Sequence, residues 1–143
     1  MRPAGVTIPL GSFPGGGKAL VEAVALPACW QVKFWAGGNE GIADTVKAGV
    51  GGSAGMRPHE LLEASLATCM TISARMALAD LGVTDAEVGV RVHLEREEST
   101  TRFRYELVLG PEIEVHRSVV MERIACSPVG STLSKPLTVE PAP

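Results

Sequence analysis

Aromatic residues are scarce in this chain, which has three Phe, two Trp and one Tyr. Its core must therefore come from aliphatic side chains and alanine, in a composition that is 45% hydrophobic and favours folding over disorder. Charge of one sign is scarce too. The net value of −3 comes without a basic stripe, which excludes the electrostatic footprint of nucleic-acid binding. No segment reaches the ~18 consecutive apolar residues of a membrane span. The start, Met1-Arg2-Pro3-Ala4-Gly5, lacks the apolar stretch of a signal peptide. A cytoplasmic protein with neither a nucleic-acid nor a membrane partner is expected. The three cysteines are an odd number and do not make a secreted disulfide framework. No C-x-x-C or H-x-x-x-H occurs, and His59, His93 and His116 are far apart, so no metal site is expected. The loop Gly49-Val50-Gly51-Gly52-Ser53-Ala54-Gly55 lacks the lysine of a P-loop and is not followed at once by a helix. It reads as an ordinary loop, and no bound cofactor is expected.

What is present divides into a Gly/Pro-rich arm over residues 1–18 and a single domain over 19–143. Residues 19–26 and 29–36 read as strands broken at Pro27. In the second, Trp30, Val32 and Phe34 share one face, with Gln31 and Lys33 on the other. A turn at Gly37-Gly38-Asn39 leads to a third strand near 42–47. Pro58 suits the first turn of a helix, and from His59 to about Leu81 there is neither Gly nor Pro. Gly82 ends it. At 1.5 Å per residue this helix is roughly 35 Å long, a central spine. Residues 87–95 and 102–109 alternate apolar and polar and predict an antiparallel hairpin. Residues 114–125 have helical spacing, interrupted at Ser127-Pro128, and 136–140 predict a short final strand. The order β-β-β-α-β-β-α-β predicts an α+β fold with antiparallel sheets around a long helix.

The candidate chemistry rests on sulfur. Cys29 opens an apolar strand. Cys69 lies mid-helix, with Leu62, Ser65, Leu66, Ser73 and Met76 within about 60° of it on the helical wheel. Cys126 ends a helix beside Pro128. Taken singly, each reads most simply as a structural thiol.

Taken together they carry a resemblance. Gly55-Met56-Arg57-Pro58-His59-Glu60-Leu61-Leu62-Glu63-Ala64-Ser65-Leu66-Ala67-Thr68-Cys69 resembles the signature of the OsmC/Ohr family. That signature runs from a glycine through a proline and an acidic-Leu-Leu turn to the peroxidatic cysteine. Ile124-Ala125-Cys126-Ser127-Pro128-Val129-Gly130-Ser131-Thr132-Leu133 resembles the family's second block, which carries the second cysteine. The resemblance spans roughly residues 19–140. It implies an intertwined homodimer with the long helices at its centre, and a thiol-dependent peroxidase acting on small organic hydroperoxides in oxidative stress. Cys69 would attack as the thiolate and Cys126 would resolve the sulfenic acid. An external dithiol reductant, a lipoyl protein in the Ohr branch, would then restore both.

The chain departs from the family's pattern in places. His59 stands where the family has its activating glutamate, and Glu60, one residue later, falls about 180° from Cys69 on the wheel. No arginine matches the family's catalytic one. Arg57, His59 and Glu60 are therefore the binding candidates beside Cys69 and Cys126. Ser127 separates Cys126 from Pro128, which marks a divergent OsmC-like subgroup. Two other readings fit the residues: a binding or redox-sensing module that has lost the activating pair, and a thiol transferase or hydrolase with His59 as base.

Overall fold

The computed structural model describes residues 20–143; the arm predicted over 1–18 lies outside them. Three antiparallel strands come first, β1 (Glu22–Ala25), β2 (Val32–Ala36) and β3 (Asn39–Ala43), side by side in chain order. Gly37-Gly38 is a two-residue hairpin loop, with Ala36 opposite Asn39. The second strand starts later than the alternation from residue 29 suggested. Leu26 N–H donates to the Gln31 carbonyl at 2.9 Å and Gln31 N–H to that of Ala28 at 2.8 Å. These bonds close a loop and withhold the backbone before Val32 from the ladder.

The strand expected near 42–47 is split. β3 stops at Ala43, and a small hairpin follows, β4 (Val46–Lys47) and β5 (Val50–Gly51). It turns at Ala48-Gly49, both with positive φ. Part of the glycine-rich loop is thus strand. Buried Asp44 sits at the split. Its carboxylate accepts the N–H of Thr45 at 2.8 Å and of Ala54 at 3.0 Å. The Ala54 bond, with those from Thr45, Trp30 and Gly52, holds this carboxyl below the usual Asp range against the opposing push of burial. One side chain so ties the whole glycine-rich loop to the end of β3.

The central element is α1 (Pro58–Asp80). Glu60 Oε1 accepts both the backbone N–H of Arg57, at 3.1 Å, and its guanidinium Nε, at 2.7 Å, closing the first turn. At the other end Val83 N–H reaches the Leu78 carbonyl and Gly82 N–H that of Ala79, with Gly82 at φ +80°. This is a Schellman stop, and the left-handed residue it needs is the glycine. By length and composition α1 could cross a membrane. Here it is the core helix. Leu66, Met70, Ser73, Ala74, Ala77 and Leu78 are its buried stripe.

Strands β6 (Val88–Arg96) and β7 (Thr101–Leu109) form the predicted hairpin and lie on α1. Glu63 Oε2 accepts the Leu94 N–H at 3.1 Å and pins β6 to the helix. A 3-10 segment, Pro111–His116, leads into α2 (Arg117–Ala125). Val120 and Ile124 of α2 are fully buried against the small residues of α1. A third helix follows, α3 (Pro128–Leu133).

The expected final strand over 136–140 does not form. Its backbone has no hydrogen-bonding neighbour among the described residues. Val139 is wholly exposed, at 101%. A strand needs an unpaired edge beside it, and residues 136–140 pair with none among the described residues. The order is therefore five strands, α1, two strands and two helices, still α+β with antiparallel pairing around a long central helix.

Two expectations follow. Ile124→Ala removes a side chain from the fully packed α1–α2 contact and should lower unfolding free energy by about 2–5 kcal/mol in urea titrations. Asp44→Asn replaces an acceptor-only group facing several N–H donors and should lower the urea midpoint at neutral pH. Because the folded-state pKa of Asp44 is depressed, its contribution is present above the unfolded value of ~3.9 and is lost as pH falls through the folded one. The gap between wild type and variant should narrow only below that value.

Candidate functional site

Cys69 lies midway along α1, at the border between its buried stripe and its open side, and is half-buried. Its Sγ accepts the backbone N–H of Val129 at 3.4 Å. This contact fixes the sulfur against the start of α3.

The donor is in place because of how α3 begins. Ser127 caps it, with Oγ accepting the Gly130 N–H at 3.3 Å, and Pro128 fills the first helical position, where no N–H is needed. The Val129 N–H, next in line, is left for the sulfur. Ser127 is buried, at 1% exposure. A Cβ on Gly130 would stand 2.7 Å from Ser127 Oγ, 3.7 Å from Leu66 Cδ1 and 3.8 Å from Met70 Cε. The first turn of α3 therefore lies in contact with α1 near Cys69, and a side chain at 130 would clash with the capping Ser127 hydroxyl.

Cys126 points elsewhere. It caps the C-terminal end of α2, is exposed, and lines a groove with Ala77, Asp80, Leu81, Val119 and Arg123. Ala77 and Leu81 are about 12–18 Å beyond Cys69 along the axis of α1. Cys126 stands three residues before the Val129 N–H that meets Cys69, and the two thiols form no disulfide. Cys29 is exposed ahead of β2, and all three thiols are free.

The three binding candidates also stand apart from Cys69. Arg57 and Glu60 hold each other at the start of α1. The Arg57 side chain, with its own N–H, keeps the Glu60 carboxyl below the usual range, and Glu60 raises Arg57 further. His59 is exposed. Glu60 is about 13.5 Å from Cys69 along the helix, on the far side of the wheel. Among the described residues no three His, Cys, Asp or Glu side chains gather as a metal site would require.

The sequence reading missed α3 and with it the Val129 N–H. The signal was available: Ser127-Pro128 is a cap followed by a first-turn proline, read above as an interruption. The arrangement is one half-buried thiol on the core helix with a backbone donor on its sulfur.

A sequence profile of the OsmC-like protein family matches residues 51–141, more than half the chain. None of the curated proteins matches it in sequence. Solved structures do match in fold. A putative osmotic stress induced and detoxification response protein from Psychrobacter arcticus superposes with a TM-score of 0.69 at 17% identity, over 84% of this chain and 91% of that one. The organic hydroperoxide resistance protein OsmC from Legionella pneumophila gives 0.56 at 14%, over 84% and 91%. The organic hydroperoxide resistance protein OhrB of Bacillus subtilis gives 0.53 at 18%, over 82% and 91%. With both cysteine-bearing blocks inside the matched region and the fold shared, the chain belongs to the OsmC-like protein family.

Proposed function

We propose that this chain is a cytoplasmic thiol peroxidase that reduces organic hydroperoxides, with Cys69 as the attacking sulfur. The observation that carries this is the half-buried Cys69 on the core helix, with the Val129 N–H on its Sγ. The two relatives described as organic hydroperoxide resistance proteins support the choice of substrate. The thiolate attacks the outer oxygen of the hydroperoxide, the O–O bond breaks, and the alkoxide leaves as the alcohol after taking a proton. Cys69 becomes a sulfenic acid.

The reading includes a homodimer, supported by what one chain leaves uncovered. Ile72 is 59% and Met76 52% exposed on the open side of α1. The β1–β3 sheet has no extensive contact with α1 or with β6–β7. Residues 136–140 are extended and unpaired. A second copy laid along α1 gives each of these a neighbour, and brings side chains of another subunit toward Cys69. Arg57, His59 and Glu60 take part in substrate binding only by that route.

A second reading, a binding or redox-sensing module, is favoured by one observation: Arg57 and Glu60 are spent on each other at the helix cap.

Reduced protein mixed with one equivalent of cumene hydroperoxide separates the two. The peroxidase should lose its Cys69 thiol at least ~100-fold faster than free cysteine, about 2.7 kcal/mol in barrier, and Cys69→Ser should abolish the fast phase. Oxidation at the rate of free cysteine would leave the sensing module. Sedimentation equilibrium tests the pairing: the wild type should be dimeric, and Ile72→Glu, which places an unpaired charge in the contact, should raise the dissociation constant by at least ~100-fold. A wild type monomeric at high concentration would remove the dimer.

A further inference from the structure

We propose that oxidised Cys69 is resolved by a small thiol from outside the chain, through a mixed disulfide, and not by Cys126. This rests on the peroxidase reading above and adds its reducing co-substrate.

The argument turns on one residue of register at the α2–α3 junction. Val120 and Ile124 lock α2 onto α1 by their burial. The chain then passes through Cys126 and Ser127 to the first turn of α3, which lies against Cys69 through the Val129 N–H. Of these two junction residues, Ser127 is the buried one, its Oγ accepting the N–H of Gly130, the residue that lies against Leu66 and Met70 of α1. Cys126 is turned outward, into the groove with Ala77, Asp80 and Leu81. The buried position of the junction, two residues before the Val129 N–H that meets Cys69, therefore holds a hydroxyl. A disulfide needs Cα atoms about 4.4–6.8 Å apart and Cβ vectors directed at each other. Cys126 is exposed in its groove, Cys29 is exposed in the loop before β2, and neither is bonded to Cys69.

A serine cannot close the cycle. Its hydroxyl does not form a stable bond to a sulfenic sulfur that a thiol pool would then exchange. The reduction must come from solution. A first external thiol attacks the Cys69 sulfenic sulfur, forming the S–S bond and releasing water. A second attacks this mixed disulfide, frees the Cys69 thiol and leaves as the symmetrical disulfide. One hydroperoxide and two thiols thus become one alcohol, one water and one disulfide.

The decisive test needs no peroxidase activity. The full-length protein is equilibrated in a reduced/oxidised glutathione buffer, quenched with acid, and its disulfides are assigned by intact mass and peptide mapping. Wild type should carry glutathione on Cys69 and no internal disulfide. Ser127→Cys should instead form an internal disulfide between Cys69 and the introduced thiol, with glutathione excluded from Cys69. A Cys69–Cys126 disulfide in the wild type would overturn the proposal, whatever the rate of peroxide reduction. In the kinetic arm, one equivalent of cumene hydroperoxide should leave a dimedone-reactive sulfenic acid on Cys69 alone. Glutathione-dependent turnover of Cys126→Ser should match wild type within about twofold, and a loss of tenfold or more would overturn the proposal. Slow Cys69 oxidation with the expected glutathione adduct in the first arm would overturn the peroxidase reading and leave the placement of Ser127 standing.

Discussion

The constraint on which the rest depends is that α1 has apolar or small residues on two sides and a single chain covers only one. The helix is about 34 Å long at 1.5 Å per residue. β6, α2 and α3 pack along one stripe of it, where Ala74 and Ala77 let α2 approach closely and Leu66, Met70 and Leu78 fill the gaps beneath the hairpin. The adjoining side carries Leu62, Ile72 and Met76 in the open. A helix apolar all round is a buried helix. The uncovered sheet and the unpaired tail are further consequences of the same shortfall.

Cys69 draws its character from lying at the border of those two sides. Deeper in the stripe it would be sealed between α2 and the hairpin. On the open side it would lack any backbone donor. At the border it touches α3 through Val129 and remains half-exposed. The donor depends on a chain of local causes. Ser127 and Pro128 start a helix, Gly130 leaves room for the capping Ser127 hydroxyl, and burial of Ile124 sets where the junction begins. Altering any of these moves the N–H away from the sulfur without touching the cysteine.

How much of this was legible in the sequence follows from how local each cause is. α1 was readable to within about one residue at each end, because Pro58 and Gly82 are backbone signals that act within a turn. The β6–β7 hairpin was readable because alternation is strict where one face is buried. The tail was misread for the opposite reason. Pro136-Leu137-Thr138-Val139-Glu140 has the composition of a strand, but a strand is a relation to an edge, and no pattern in five residues says whether an edge lies beside them. The split after Ala43 depended on Asp44, whose partners at 45 and 54 are joined by a fold and not by a period. At the site, the resemblance led to Cys69. The facing direction of Cys126 was not readable, since a helix end releases the wheel on which such angles are computed.

That last point bears on how far a motif carries chemistry. Two adjacent residues at a junction, Cys126 and Ser127, differ by a single atom type in their reactive group and by one step in register. Burial separates them completely: the serine is inside at 1% exposure and the thiol faces solvent. Shifting the cysteine inward would require α2 to rotate or lengthen by a residue. Such a shift would pull Val120 and Ile124 out of contact with α1, at a cost of several kcal/mol for two fully buried aliphatic side chains. Packing that holds the junction therefore also fixes which side chain meets the attacking sulfur. On the proposed peroxidase reading, the contacts that stabilise the fold also leave the reducing half of the reaction to an outside thiol.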